Sequence, residues 1–167
     1  MRSDFHSGTT WALKGRTPII EATGARFGLN MMAAITPRGQ MHFMIVKGTV
    51  QSDRMCEFLK RLMHGHEHKV FLIWDGRPTH KSKKVKEYIA TFDGRLEIFL
   101  LPSYSPDLNP IEQLWNHTKG NGVGRRVING PDQLKAAVIN KLRSLQKLPK
   151  KIASFFRHPG CKYILDV

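Results

Sequence analysis

Apolar positions recur along this chain in two rhythms. From Leu29 to Val50 the order is "LNMMAAI", then "TPRGQ", then "MHFMIVKGTV". Two β-prone runs joined by a Pro/Gly turn predict a β-hairpin. Upstream, "TTWALKGRTPII" has the same punctuation and a short β-prone end, which predicts a further strand from about Pro18. The rhythm then turns helical. Ser52 is placed to N-cap a helix in which Met55, Phe58, Leu59 and Leu62 fall at i, i+3, i+4 and i+7, ending near Gly65. "KVFLIWD" is a short apolar run closed by an acid and followed by Gly-Arg-Pro, the pattern of a fully buried strand with Asp75 at its tip. Ser82 opens a helix with Val85, Tyr88, Ile89 and Phe92 at helical spacing, "DGR" closes it, and the strand "LEIFLL" follows. Helix resumes at Pro110, an N1-type proline, with Ile111, Leu114, Trp115 and Thr118 on one side. The basic, Gly-rich "KGNGVGRR" separates it from a helix beginning near Pro131, where Leu134, Val138, Leu142 and Leu145 form the buried stripe, and "IASFF" is the last apolar cluster.

Strands alternating with helices in the second half imply parallel strands with right-handed crossovers, so the hairpin and the later strands together predict an α/β sheet of mixed direction. A length of 167 residues supports one domain, taken as residues 1–167.

Charge narrows the partners. A formal net charge of +14, from 27 Lys and Arg against 13 Asp and Glu, runs through the whole chain and favours a polyanion, with nucleic acid the commonest. Apolar runs such as "VFLIW" and "IFLL" are far shorter than the roughly 18 residues needed to span a bilayer, so no membrane partner is expected. The start, "MRSDFHSGTT", lacks the apolar region of a secretory signal, and Cys56 and Cys161 form no CxxC pattern. Both point to reduced thiols and a cytoplasmic location.

Two carboxylates draw the chemistry together. Asp75 ends one strand and Glu112 lies in the first turn of the helix after the next, so both can face the carboxyl edge of the sheet, where α/β sheets gather reacting groups. Two acids converging there repel unless a cation holds them, and hard ions such as Mg²⁺ take oxygen ligands of this kind. Each residue also has a plainer reading. Asp75 fits an Asx turn before Gly76 and Pro78, and Glu112 fits an acid favoured by a helix dipole. His80 is either a polar residue opening a helix or a phosphate contact, and Asn109 a helix cap or a substrate contact. The basic residues Lys81, Lys83, Lys84 and Lys86 suit either a solvated helix face or DNA contact, as do Lys119, Arg125 and Arg126 in their Gly-rich loop. His64, His66 and His68 alternate as zinc ligands might be spaced, but no fourth ligand is near and a polar surface turn explains them.

The segments "FLIWDGRPTHKSKKVKEYI" and "LEIFLLPSYSPDLNPIEQLW" resemble the catalytic core of DDE transposases of the mariner superfamily, in its bacterial insertion-sequence branch. The likeness runs over nearly the whole chain, including "HSGTTWALKGRTP" and "FFRHP". It implies a ribonuclease H-like mixed sheet flanked by helices, and three metal-binding acids. The family's D-[NG]-x-x-x-H motif puts the second acid on Asp75 and its histidine on His80, and the Y-S-P-x-L-N-P-I-E-x-x-W motif puts the third on Glu112, with 36 residues between the two acids. Ser103 stands where the family usually has Pro. The family's first acid belongs to a D-E-x-G segment upstream of "RSDFHSGTTW", so the resemblance implies a chain truncated at its N-terminus that lacks the first, central strand. Asp4 is the only acid near the start, and "RSD" resembles residues after that strand rather than the catalytic position.

On this resemblance the chain is a transposase catalytic domain performing metal-dependent hydrolysis and strand transfer of DNA. Two Mg²⁺ or Mn²⁺ ions would be held by Asp75, Glu112 and the upstream acid, and the chain as written would be catalytically silent. The implied partner is double-stranded DNA, as transposon ends and target, and a homodimer is compatible with it. The rivals are an inactive remnant that only binds DNA and a ribonuclease H-like nuclease acting alone.

Overall fold

The computed structural model of the chain describes residues 2, 12–16, 27–125 and 127–165. The strand expected from Pro18 falls outside them. β1 (Asn30–Ile35) and β2 (Met41–Val46) form the expected antiparallel hairpin, registered from Asn30 opposite Val46 to Ile35 opposite Met41. Its turn is closed by Thr36 N–H to Gln40 O at 3.0 Å and Gly39 N–H to Thr36 O at 2.9 Å. Gly39 is required there. Its φ is +88°, and a Cβ would stand 2.6 Å from the Pro149 carbonyl carbon.

Alternation along the hairpin sends side chains to two cores. Met32, Met44 and Val46 join Met55, Phe58, Leu59 and Leu62 of α1 (Ser52–Met63). On the opposite face Met31, Ala33, Met41, Phe43 and Ile45 meet α3 (Pro110–Gly120), α4 (Pro131–Gln146) and α5 (Pro149–Ser154) through Leu114, Leu134, Val138, Leu142, Leu145, Ile152 and Phe155. Burying each such leucine or isoleucine is worth about 1.5–3 kcal/mol. The hairpin is therefore the middle layer between two sets of helices, which is why both of its strands read as near-continuous apolar runs.

β3 (Val70–Trp74) and β4 (Leu96–Leu100) pair in parallel, with Trp74 opposite Leu100, joined through α2 (Lys83–Ala90). This is the crossover the sequence predicts. The described strands nevertheless form two two-stranded sheets rather than one mixed sheet, because among the described residues β1 ladders only with β2 and β3 only with β4. The two pairs share the core under α1 and α2, to which β3 and β4 contribute Val70, Leu72, Trp74, Leu96 and Ile98. A second correction concerns β3, expected to be buried on both faces. Phe71 is 59% exposed, Ile73 40% and Phe99 47%, since the helices that cover the second face of the hairpin do not cover that of the parallel pair.

Local signals set the helix ends in most cases. Ser82 caps α2 by accepting from Val85 N–H, and Asn109 caps α3 by accepting from Ile111 N–H at 3.1 Å, with Pro110 as its first residue. Ser52 differs from expectation. Gln51 holds the cap position of α1, and the Ser52 hydroxyl instead donates to Ser82 Oγ at 2.9 Å, tying the two helix starts together. The cysteines are free thiols, Cys56 half-buried and Cys161 buried.

Candidate active site

Asp75 follows the last residue of β3. Beside it, Leu101 N–H donates to Trp74 O at 2.9 Å, so the chain leaving β4 starts at the same carboxyl edge from which Asp75 projects. That exit chain runs through a 3₁₀ turn, Pro106–Leu108, into α3, whose first turn carries Glu112, half-buried. The chain that leads to Glu112 thus starts at the edge where Asp75 follows β3.

Three neighbours shape Asp75. Arg77 Nε–H donates to Oδ2 at 3.0 Å in an exposed contact. His80, its side chain only 13% exposed, lies stacked on Trp74 with ring centroids 4.6 Å apart and planes 20° apart. Its Nδ1 is 2.5 Å from the Asp75 carbonyl oxygen and 2.9 Å from Oδ1. A carbonyl can only accept, so Nδ1 carries the hydrogen and aims it at the backbone. Oδ1 is buried and stands off that axis, so the same Nδ1 meets it at 2.9 Å as a close polar contact rather than through a directed hydrogen bond. A buried carboxylate oxygen met only by an off-axis imidazole is stabilised further by a cation that meets it directly. His80 therefore works inward through Nδ1, fixing the Asp75 backbone from the 3₁₀ turn Pro78–Lys81 that leads into α2. The five-residue interval from Asp75 to His80 was the available signal, but its meaning depends on the Trp74 stack.

The basic residues are dispersed. Lys81 bends its amine over Gly76, where a Cβ would meet Nζ at 3.2 Å, which puts a cation beside Asp75. Lys83 pairs with Glu87 at 3.8 Å along the exposed face of α2, and Lys84 with Asp53 of α1. The Asp53 hydrogen bond and charge raise the Lys84 pKa above its usual value at this exposed α1–α2 contact. Lys86 is exposed, and Lys119 is half-buried at the end of α3. Arg125 closes a short 3₁₀ turn, Val123–Arg125. Arg126 and Asp4 lie outside the described residues. His66 faces His42, ring centroids 6.2 Å apart, while His64 and His68 are exposed. Among the described residues no group of three or more His, Cys, Asp or Glu is placed to hold a metal ion. Carboxylates such as those of Asp75 and Glu112 are nonetheless the donor class that hard divalent ions take.

No helix among the described residues is long and apolar enough to cross a membrane. The family model for DDE superfamily endonucleases matches residues 2–135. A curated relative, the transposable element Tcb2 transposase of Caenorhabditis briggsae, is 46% identical over 57 residues, 33% of this chain and 19% of that protein. The match thus spans about a fifth of that relative's length. Among solved structures, the catalytic domain of Mos1 mariner transposase superposes with a TM-score of 0.54 at 18% identity, covering 79% of this chain and 74% of that one. The Mos1 catalytic domain with raltegravir and Mg gives 0.56 at 15%, covering 81% and 75%. The Mos1 paired-end complex with Mn gives 0.54 at 19%, covering 87% of this chain and 48% of that one. An α/β fold shared with that catalytic domain, and a family match over most of its length, lead to one conclusion: the chain belongs to the DDE superfamily endonucleases, with the ribonuclease H-like catalytic-domain fold of the mariner/Tc1 transposases.

Proposed function

We propose that this chain is the catalytic domain of an insertion-sequence transposase that hydrolyses and rejoins DNA phosphodiesters, with Asp75 and Glu112 as metal ligands. The observation that carries this reading is the Asp75 carboxylate at the carboxyl edge from which the Glu112 loop also departs, its Oδ1 buried and met, among the described residues, only by the His80 ring at 2.9 Å. Asp75 and Glu112 offer oxygen donors, and an upstream acid of the D-E-x-G type completes the ligand set for two Mg²⁺ or Mn²⁺ ions. When bound, such ions supply Lewis acidity, lowering the pKa of an attacking water or 3′-hydroxyl and stabilising the leaving oxygen.

The protein's own contribution is position and charge. His80 keeps the Asp75 backbone fixed through Nδ1–H, and its stack on Trp74 prevents the ring from turning away. Arg77 holds Oδ2 at 3.0 Å and His80 Nδ1 lies 2.9 Å from Oδ1, so both carboxylate oxygens are oriented by neighbours. Lys81, its amine over Gly76, is set to meet a scissile or flanking phosphate. The net charge of +14 favours duplex DNA, and its release of counterions makes binding fall steeply with salt. Mos1 structures include a complex with a left transposon end and a strand transfer complex, in keeping with DNA ends and target as partners here.

The test fuses a strand bearing a D-E-x-G acid in frame ahead of residue 1, supplies end recognition, and measures nicking of supercoiled plasmid in Mn²⁺. Nicking is expected, and Asp75→Ala or Glu112→Ala is expected to abolish it while leaving salt-sensitive DNA binding nearly intact. Cleavage that persists in either variant refutes the role of that acid.

A further inference from the structure

The segment that precedes Leu165 lies beyond the span matched by the endonuclease family model and packs on the loop that delivers Glu112. A 3₁₀ stretch, Pro159–Ile164, sits against the shorter one at Pro106–Leu108, and three features define the junction. Cys161, fully buried, directs its thiol at the Asp107 carbonyl, Sγ to O 3.4 Å. Two residues on, Tyr163 donates its hydroxyl to the Leu108 carbonyl at 3.1 Å. Gly160 allows the two backbones to meet, since a Cβ there would stand 3.0 Å from the Asp107 carbonyl carbon and closer still to its oxygen.

Those two carbonyls belong to the residues immediately before Asn109. Asn109 in turn accepts from Ile111 N–H with its side chain and from Glu112 N–H with its carbonyl at 3.0 Å. A continuous run of short contacts thus leads from the 160–163 segment to the backbone of Glu112. Apart from this junction, the loop is closed by local turns, Leu108 N–H to Ser105 O at 3.2 Å and Asn109 N–H to Pro106 O at 3.0 Å. Both donors stay protonated at neutral pH: burial, then the Asp107 carboxylate, raises the Cys161 thiol, and burial, then Cys161, raises the Tyr163 phenol.

We propose that Gly160, Cys161 and Tyr163 are positioning residues that clamp the Pro106–Asn109 loop and thereby fix the direction in which Glu112 presents its carboxylate to a divalent ion. This rests on the reading of Glu112 as a metal ligand. Residues that orient a ligand typically change metal affinity by about 10–100-fold when altered. Gly160→Ala, which forces the two backbones apart, belongs at the upper end of that range, and Tyr163→Phe, which removes one hydroxyl, at the lower.

The experiment measures Mn²⁺ affinity of the full chain by electron paramagnetic resonance of free Mn²⁺, at a temperature where circular dichroism shows every variant folded. Hydrogen exchange at the amides of Asn109, Ile111 and Glu112 is measured in parallel. Glu112→Gln serves as reference for loss of the ligand itself. The expected result is weaker Mn²⁺ binding in Gly160→Ala and Tyr163→Phe, faster exchange at those amides, and no added loss when either is combined with Glu112→Gln. Unchanged affinity in both variants, with Glu112→Gln impaired, overturns the proposal even if their melting temperatures fall. If Glu112→Gln itself binds Mn²⁺ normally, the ligand reading fails, and the exchange rates alone then decide whether the clamp orders the loop. Should Gly160→Ala not fold, Tyr163→Phe and Cys161→Ala carry the same comparison.

Discussion

The hairpin β1–β2 and the parallel pair β3–β4 are built from similarly apolar strands, yet their surroundings differ. The hairpin is covered on both faces, by α1 on one and by α3, α4 and α5 on the other. The parallel pair is covered on one, leaving Phe71, Ile73 and Phe99 open, with Lys69 5.2 Å from the centre of the Phe71 ring and paired to Glu97 at 2.7 Å. The hairpin is thus packed on both faces, while the pair that carries Asp75 at its carboxyl edge is packed on one. Such a division suits a site whose acids leave from strand ends, because the strands need only be aimed, and one well-packed face achieves that.

The largest test of this contrast removes equal chemistry from each region. Leu142→Ala, in the core over the hairpin, is expected to cost about 2–5 kcal/mol in urea unfolding, the range for a large-to-small change at a fully buried site. Phe71→Ala is expected to cost only about 0.2–1 kcal/mol, the size of a cross-strand pair contribution. Equal costs would mean that the open face is covered in solution and would break the comparison.

A smaller effect probes the joint between hairpin and helices. Gly39→Ala places a methyl group against the Pro149 carbonyl at a positive φ, and overpacking of this kind costs about 1–3 kcal/mol. Calorimetry should show a lower melting temperature, whereas Gly48→Ala, also at positive φ but with open space around it, should lose less.

The smallest effect is a pH dependence confined to the hairpin side. Burial, and then repulsion from His66, lowers the His42 pKa below its ordinary value. The folded state therefore favours the neutral ring, and this contribution is complete above about pH 6.5 and lost as pH falls through that value toward the lowered one. The urea midpoint should drop on acidification through this window, and His42→Gln should flatten the drop. β3 and β4 contain no histidine, so substitutions there should leave the slope unchanged.

What the sequence determined by itself is what depends on near neighbours in the chain. The hairpin, the caps at Ser82 and Asn109, the N1 proline of α3, and the buried stripe Leu134, Val138, Leu142 and Leu145 all follow from residues a few positions apart. The parallel pairing of β3 and β4, which puts the exits of the two strands side by side, was legible too, because a helical crossover fixes which strand ends lie together. Tertiary structure decided the rest. Ser52 gave up its cap for Ser82, 30 residues away. His80 acquired its role from the Trp74 stack, and the second face of β3 stayed open although its sequence matches that of a covered strand. The hold on the Glu112 loop comes from residues 54 and 55 positions distant. Such partners are chosen by shape and burial once helices and strands have packed, and burial is a property of the assembled layers rather than of any segment.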